Sequence, residues 1–106
     1  ALPEYQALIE KISARLSHPW TLADIAHLLN ISERTVSRQF TQQTGLSFIE
    51  WLRRLRLQYS LELLLQGQSV VDVSLTVGYD SPSAFSTAFK QRIGLSPTQY
   101  VAQYER

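Results

Sequence analysis

The chain has 106 residues and no cysteine. It is long enough to bury a core without cross-links, and it lacks the thiols for a disulfide framework or a thiolate metal site. Ten Lys and Arg against nine Asp and Glu leave a net charge of +1, so bulk charge does not announce a nucleic-acid partner. No apolar run approaches the ~18 residues of a membrane span, and no signal peptide is visible, so a cytoplasmic setting is expected. The start Ala1-Leu2-Pro3, without methionine, reads as a fragment cut from a longer protein near a domain boundary.

Residues 4–17 place Tyr5, Leu8, Ile9, Ile12 and Leu16 at helical spacing. Ser17-His18-Pro19 breaks that helix, because the residue before proline is pushed out of the α region. Thr21, with Asp24 three residues on, caps a helix through about Leu29. Asn30-Ile31 turns the chain, and Ser32 caps a helix to about Thr44, before Gly45. In that helix Val36 and Phe40 point inward, while Arg34, Ser37, Arg38 and Thr41 lie away from them.

Ser47 opens the longest helix, Phe48 to about Gln66, ended by Gly67. It carries two apolar stripes, Phe48, Leu52, Leu55, Tyr59 and Leu63 on one side and Leu57, Leu61 and Leu64 on another. A helix apolar on two sides packs on two sides, which makes it a spine. Ser69 starts a helix through Val77, and Ser81 caps the next with Pro82 at its first position. Phe85, Ala88 and Phe89 face inward there, and Gly94 ends it. Ser96-Pro97 opens a last helix to about Tyr104. No stretch alternates like a strand, so the expectation is an all-α chain of seven helices.

Two of the helix pairs are copies. Asp24-Ile25-Ala26 matches Asp72-Val73-Ser74 at an offset of 48. Ser32, Val36, Phe40 and Gly45-Leu46-Ser47 match Ser81, Phe85, Phe89 and Gly94-Leu95-Ser96 at an offset of 49. The second copy therefore has one extra residue in its turn. Two helices joined by a tight turn describe a helix-turn-helix, whose second helix offers its outer face to the DNA major groove. A spine of 19 residues is roughly 28 Å long at ~1.5 Å per residue. That is consistent with two recognition helices about one DNA turn, roughly 34 Å, apart. Helical domains of this size share such dimensions in any case.

Charge is unevenly placed. From Arg34 to Arg56 five arginines (34, 38, 53, 54 and 56) face the single acid Glu50, while Glu4, Glu10 and Glu105 lie towards the termini. A basic middle fits a nucleic-acid footprint, and equally a solvated charged face.

The stretch Gly78-Tyr79-Asp80-Ser81-Pro82-Ser83-Ala84-Phe85, with Phe89-Lys90, Gly94-Leu95-Ser96-Pro97 and Tyr100, closely resembles the DNA-binding domain of AraC/XylS-type bacterial transcription regulators. Leu52 to Leu57 with Leu63-Leu64, and Leu22 to Ala26 followed by Ser32 to Phe40, carry the same likeness, which spans roughly residues 5–104. The resemblance implies a homeodomain-like pair of helix-turn-helix subdomains, 5–46 and 67–106, joined by a linker helix, 47–66, within one domain, 1–106. It implies sequence-specific binding to double-stranded promoter or operator DNA. Recognition helices at about 32–44 and 81–93 would enter adjacent major grooves. Such domains usually follow an N-terminal effector or dimerisation domain in a longer regulator, although some members are a lone binding domain; RNA polymerase is a further candidate partner, and no cofactor is expected.

In the first unit Arg34, Ser37 and Arg38 are the base-contact candidates, at positions matching those the family uses. A guanidinium fork donates to O6 and N7 of guanine together. In the second unit Ser83, Ser86 and Thr87 correspond, all short. The family often has an arginine near Thr87, so the first unit is expected to supply most selectivity and the second to anchor the backbone. Phosphate contacts are assigned to Lys90, Arg92, Arg53, Arg54 and the helix starts at Thr21, Ser32, Ser69 and Ser81. Arg56 has two readings, a buried position between the lobes paired with an acid such as Asp72, which is slightly favoured, and a phosphate contact. Trp20, Trp51, Tyr79 and Tyr100 are read as packing residues.

Catalysis is not expected. His18 and His27 have no nucleophile or metal-ligand spacing around them, and no metal is assigned. The competing reading is a helical module that binds a protein, with which the near-neutral charge is compatible.

Overall fold

The computed structural model describes residues 3–104. Ala1 and Glu105, and the side chain of Glu4, fall outside what it describes. The described residues form seven α-helices and no strand: α1 (Pro3–Ala14), α2 (Leu22–Leu29), α3 (Glu33–Thr44), α4 (Phe48–Leu65), α5 (Val70–Thr76), α6 (Pro82–Ile93) and α7 (Pro97–Tyr104). None of these helices is long and apolar enough to cross a membrane.

Helix starts follow their caps. The Thr21 hydroxyl accepts from the Asp24 N–H while the Asp24 carboxylate accepts from the Thr21 N–H, a reciprocal capping box. Ser32, Ser69 and Ser81 each accept the N–H three residues on. Ser96 does the same for Gln99, whose side-chain carbonyl accepts the Ser96 N–H in return. That second box was not anticipated from the sequence.

One boundary differs from expectation. α1 stops at Ala14, three residues early. The Arg15 N–H turns back to the Ile12 carbonyl, a three-residue bond that tightens the end of the helix. The Arg15 carbonyl then accepts from both the His18 N–H and the Trp20 indole N–H. The stop is therefore made by Trp20 reaching back, ahead of the break at Pro19.

The chain divides into two compact units, one up to Arg54 and one from Leu55. α4 contributes to both, and its buried face changes along its length. In the first unit it supplies Phe48 and Leu52, which join Tyr5, Leu8, Ile12, Leu16, Ile25, Val36 and Phe40. Phe40 is the hub, with the rings of Tyr5, Phe48 and Trp51 edge-on at 5.6, 5.4 and 5.3 Å. In the second unit α4 supplies Leu57, Ser60 and Leu64, beside Val73, Ser74, Val77, Phe85 and Phe89.

The stripe Phe48-Leu52-Leu55-Tyr59-Leu63 is thus fully buried only at its start, and the other stripe takes over. Ser60 and Ser74 are fully buried although polar. Each hydroxyl donates to the carbonyl three residues back, Leu57 at 2.6 Å and Val71 at 2.7 Å, so the side chain packs as a small, satisfied group.

Candidate nucleic-acid interface

Each unit contains one helix-turn-helix, α2–α3 and α5–α6. The turns are built alike. Asn30 (φ 56°) and Gly78 (φ 100°), 48 residues apart, both take positive φ. The N–H of the following residue bonds five residues back in each, Ile31 to Ala26 at 3.1 Å and Tyr79 to Ser74 at 2.9 Å. These closures satisfy carbonyls left open at the helix ends. The extra residue of the second copy falls after this closure, at Asp80, just before the Ser81 cap.

The second helix of each pair buries one side and exposes the other. In α3, Val36 and Phe40 are buried, while Arg34, Ser37 and Arg38 are exposed together on one face, one turn apart. Thr41 is exposed as well, its hydroxyl donating to the Ser37 carbonyl. In α6, Phe85 and Phe89 are buried, and Ser83, Thr87, Lys90 and Arg92 are exposed. Ser86 is half-buried, which separates it from the other outward residues.

The helix starts differ electrostatically. At α2 the Thr21 N–H is already taken by Asp24, whose carboxylate also lies 3.8 Å from the His18 imidazole. That start holds its own anion. α3 carries Glu33 in its first turn, and α5 carries Asp72. α6 has no acid in its first turn, with Lys90 and Arg92 in its last. Its start lacks the first-turn anion that the starts of α2, α3 and α5 carry, although the exposed Asp80 stands just before its cap. On α4, Arg53 and Arg54 are exposed, and Arg53 pairs with Glu50 at 3.8 Å.

Arg56 was expected beside an acid such as Asp72. Asp72 is exposed at the start of α5, its N–H donating to Ser69. The half-buried Arg56 side chain lies over Gly78 instead. A Cβ on Gly78 would stand 2.9 Å from Arg56 Nε and 3.0 Å from Cζ and Nη2. Burial lowers the Arg56 pKa from its ordinary value, and the nearby Tyr79 acts in the opposite direction. The sequence signal for this contact was an arginine flanked by Leu55 and Leu57 in the longest helix.

Two capped helix pairs, each with an apolar inner face and a polar outer face on the second helix, define a tandem helix-turn-helix domain. A family model described as a helix-turn-helix domain matches residues 25–103, and the chain belongs to the AraC-type helix-turn-helix family. It is 35% identical over 101 residues to the HTH-type transcriptional regulator NimR of Escherichia coli K12, covering 95% of this chain and 37% of that protein. It is 35% identical over 104 residues to the regulator RipA of Corynebacterium diphtheriae, covering 95% of this chain and 31% of that one. The chain thus spans about a third of the length of the curated relatives it matches.

Among solved structures, it is similar to the C-terminal domain of AraT, a response regulator from Geobacillus stearothermophilus. The TM-score is 0.85 at 36% identity, over 96% of this chain and 86% of that one. It is also similar to the DNA-binding domain of the transcriptional factor AdpA, solved with a target DNA. There the TM-score is 0.85 at 28% identity, over 93% and 90% of the two chains.

Proposed function

We propose that this chain binds double-stranded DNA sequence-specifically and regulates transcription, with α3 and α6 entering adjacent major-groove segments. The observation that carries the reading is the exposed Arg34–Ser37–Arg38 face of α3, set opposite the buried Val36–Phe40 pair. Arg34 and Arg38 read base edges, guanine above all, and Ser37 bonds a base edge or a phosphate. Ser83 and Thr87 make weaker base or thymine-methyl contacts, and Ser86 contributes least because it is half-buried.

Lys90, Arg92, Arg53, Arg54 and the α3 and α6 starts at Ser32 and Ser81 hold phosphates. Thr21 contributes only where Asp24 gives up its amide. In the full protein an N-terminal effector or dimerisation domain governs this unit, in a cytoplasmic setting. The relatives' greater length supports that arrangement. The chain has no assigned catalysis.

Selection of bound duplexes from a random pool tests the proposal. The wild type should enrich a site of two unequal halves, and Arg34→Ala and Arg38→Ala should both relax the half read by α3. Ser83→Ala should change the consensus little. Enrichment of no duplex at all would overturn it.

A second reading, a surface for a protein such as RNA polymerase, is favoured by Val71 and Leu75, which are 53% and 55% exposed one turn apart on α5. Salt separates the two. Binding through several phosphates weakens steeply as salt rises, and binding through an apolar face does not.

A further inference from the structure

We propose that Arg56 is the positioning residue of the second helix-turn-helix, seating the α5–α6 turn on α4 and so fixing where α6 presents its outer face. This rests on the DNA-reading function above. The guanidinium covers Gly78 closely enough that a side chain there would have to push the arginine aside, and its Nε is shielded from solvent. Gly78 is followed directly by Tyr79, whose N–H closes the turn on Ser74. The Tyr79 ring packs on Phe85 of α6 at 5.5 Å, and Phe85 packs on Phe89 at 5.6 Å. A chain of contacts thus runs from Arg56 through the turn to the buried side of α6.

The second unit needs this seat more than the first. Its outward residues Ser83 and Thr87 are short. A hydroxyl one or two bonds from the backbone cannot follow a base edge that has moved by an ångström. The long arginines of α3 can. A planar guanidinium held close against Gly78 restrains the turn in a way that the narrow, flexible stem of lysine does not.

The test is Arg56→Lys, with binding measured on the selected duplex and on two duplexes scrambled in one half each. The half lost in Arg38→Ala marks the site of α3. The variant should bind the intact duplex about tenfold more weakly, the scale of one lost base-edge contact. It should no longer distinguish the intact duplex from the one scrambled in the α6 half. Its preference for the α3 half, and the slope of log affinity against log salt, should match the wild type. Arg56→Met, which keeps the stem without the charge, should behave the same way, and it carries the comparison if the lysine variant does not fold.

A salt slope reduced by about 1 would make Arg56 a phosphate contact and overturn the proposal. So would equal loss at both halves, or undiminished discrimination in the α6 half. Wild-type protein that selects no duplex would sink the DNA-reading function itself. In that case the Arg56 seat is judged by unfolding: Gly78→Ala should cost less in an Arg56→Ala background than alone, and equal costs would overturn it.

Discussion

Asn30 and Gly78 hold the same left-handed position in two turns with matching hydrogen bonds, yet a side chain is tolerated at only one of them. At Gly78 a side chain would meet both a φ of 100° and the Arg56 guanidinium, whereas the turn at Asn30, at φ 56°, carries one. The contrast continues outward. The first unit has long charged side chains on its exposed helix face, a helix start sealed by Asp24, and a partly open cavity of about 120 Å³ beside Phe40 and Trp51. The second has short hydroxyls, a helix start free of first-turn acids, and a seated turn. One plan is thus tuned twice, once for reach and once for placement.

The largest expected effect separates the two cores. Phe89 is fully buried between Phe85 and Tyr100, with ring centroids at 5.6 and 5.7 Å. Phe89→Ala should cost about 4–5 kcal/mol in urea unfolding. Phe40 borders the 120 Å³ cavity, so part of its ring already lacks contacts to lose. Phe40→Ala should cost nearer 3 kcal/mol, towards the lower end for a buried phenylalanine. Equal costs would mean that the two cores are packed alike.

Exchanging the turn residues comes next. Asn30→Gly should change stability by only a few tenths of a kcal/mol, since glycine accepts positive φ but has more freedom to lose on folding. Gly78→Asn faces both the strained φ and the Arg56 guanidinium, and should cost about 2–3 kcal/mol. Thermal unfolding of the two single variants checks this. A mild Gly78→Asn would show that the turn can shift away from Arg56.

How far these differences were legible in the sequence depends on the residue. Caps and glycines mark helix ends by local chemistry, so Thr21, Ser32, Ser81, Gly45 and Gly94 placed their helices correctly. Val36 and Phe40 likewise put Arg34, Ser37 and Arg38 outside, because helical period alone decides which residues share a face. Ser60 and Ser74 were illegible as core, since their polarity is cancelled only by bonds to carbonyls in their own helices. Arg56 was legible as buried but not as to its partner. Opposite charge pointed to an acid such as Asp72, and nothing in the charge pattern announced the close contact with Gly78. The end of α1 depended on Trp20, five residues past the carbonyl it caps, beyond the reach of a rule about Pro19.

In binding, Arg38→Ala should lose about 1–3 kcal/mol on the selected duplex, with discrimination lost at one base position. Thr87→Ala should lose less than about 1 kcal/mol, the scale of one neutral hydrogen bond. Both side chains are exposed, so neither change should alter unfolding. Titrations of the two variants on duplexes substituted base by base check the asymmetry. Equal loss of specificity would remove the distinction between a unit that reads and a unit that anchors.

A further comparison concerns the helix starts. At α2 the cap is reciprocal, so Thr21→Ala removes the bond to the Asp24 N–H but leaves the Thr21 N–H donating to the Asp24 carboxylate. At α6 the Ser81 hydroxyl accepts the Ala84 N–H with no acid in the first turn to return a bond. Both cap bonds are exposed, so the returned bond at α2 is what sets the two starts apart. Cap deletions cost about 0.5–2 kcal/mol. Ser81→Ala should fall in the upper half of that range and Thr21→Ala in the lower. Thermal unfolding of both, with Asp24→Ala added to the Thr21 variant, decides the matter. If the added change brings the loss up to that of Ser81→Ala, the surviving Asp24 bond is what protects α2. If Thr21→Ala alone already costs as much, the reciprocal bond gives no protection, and the two starts are equivalent despite their different chemistry.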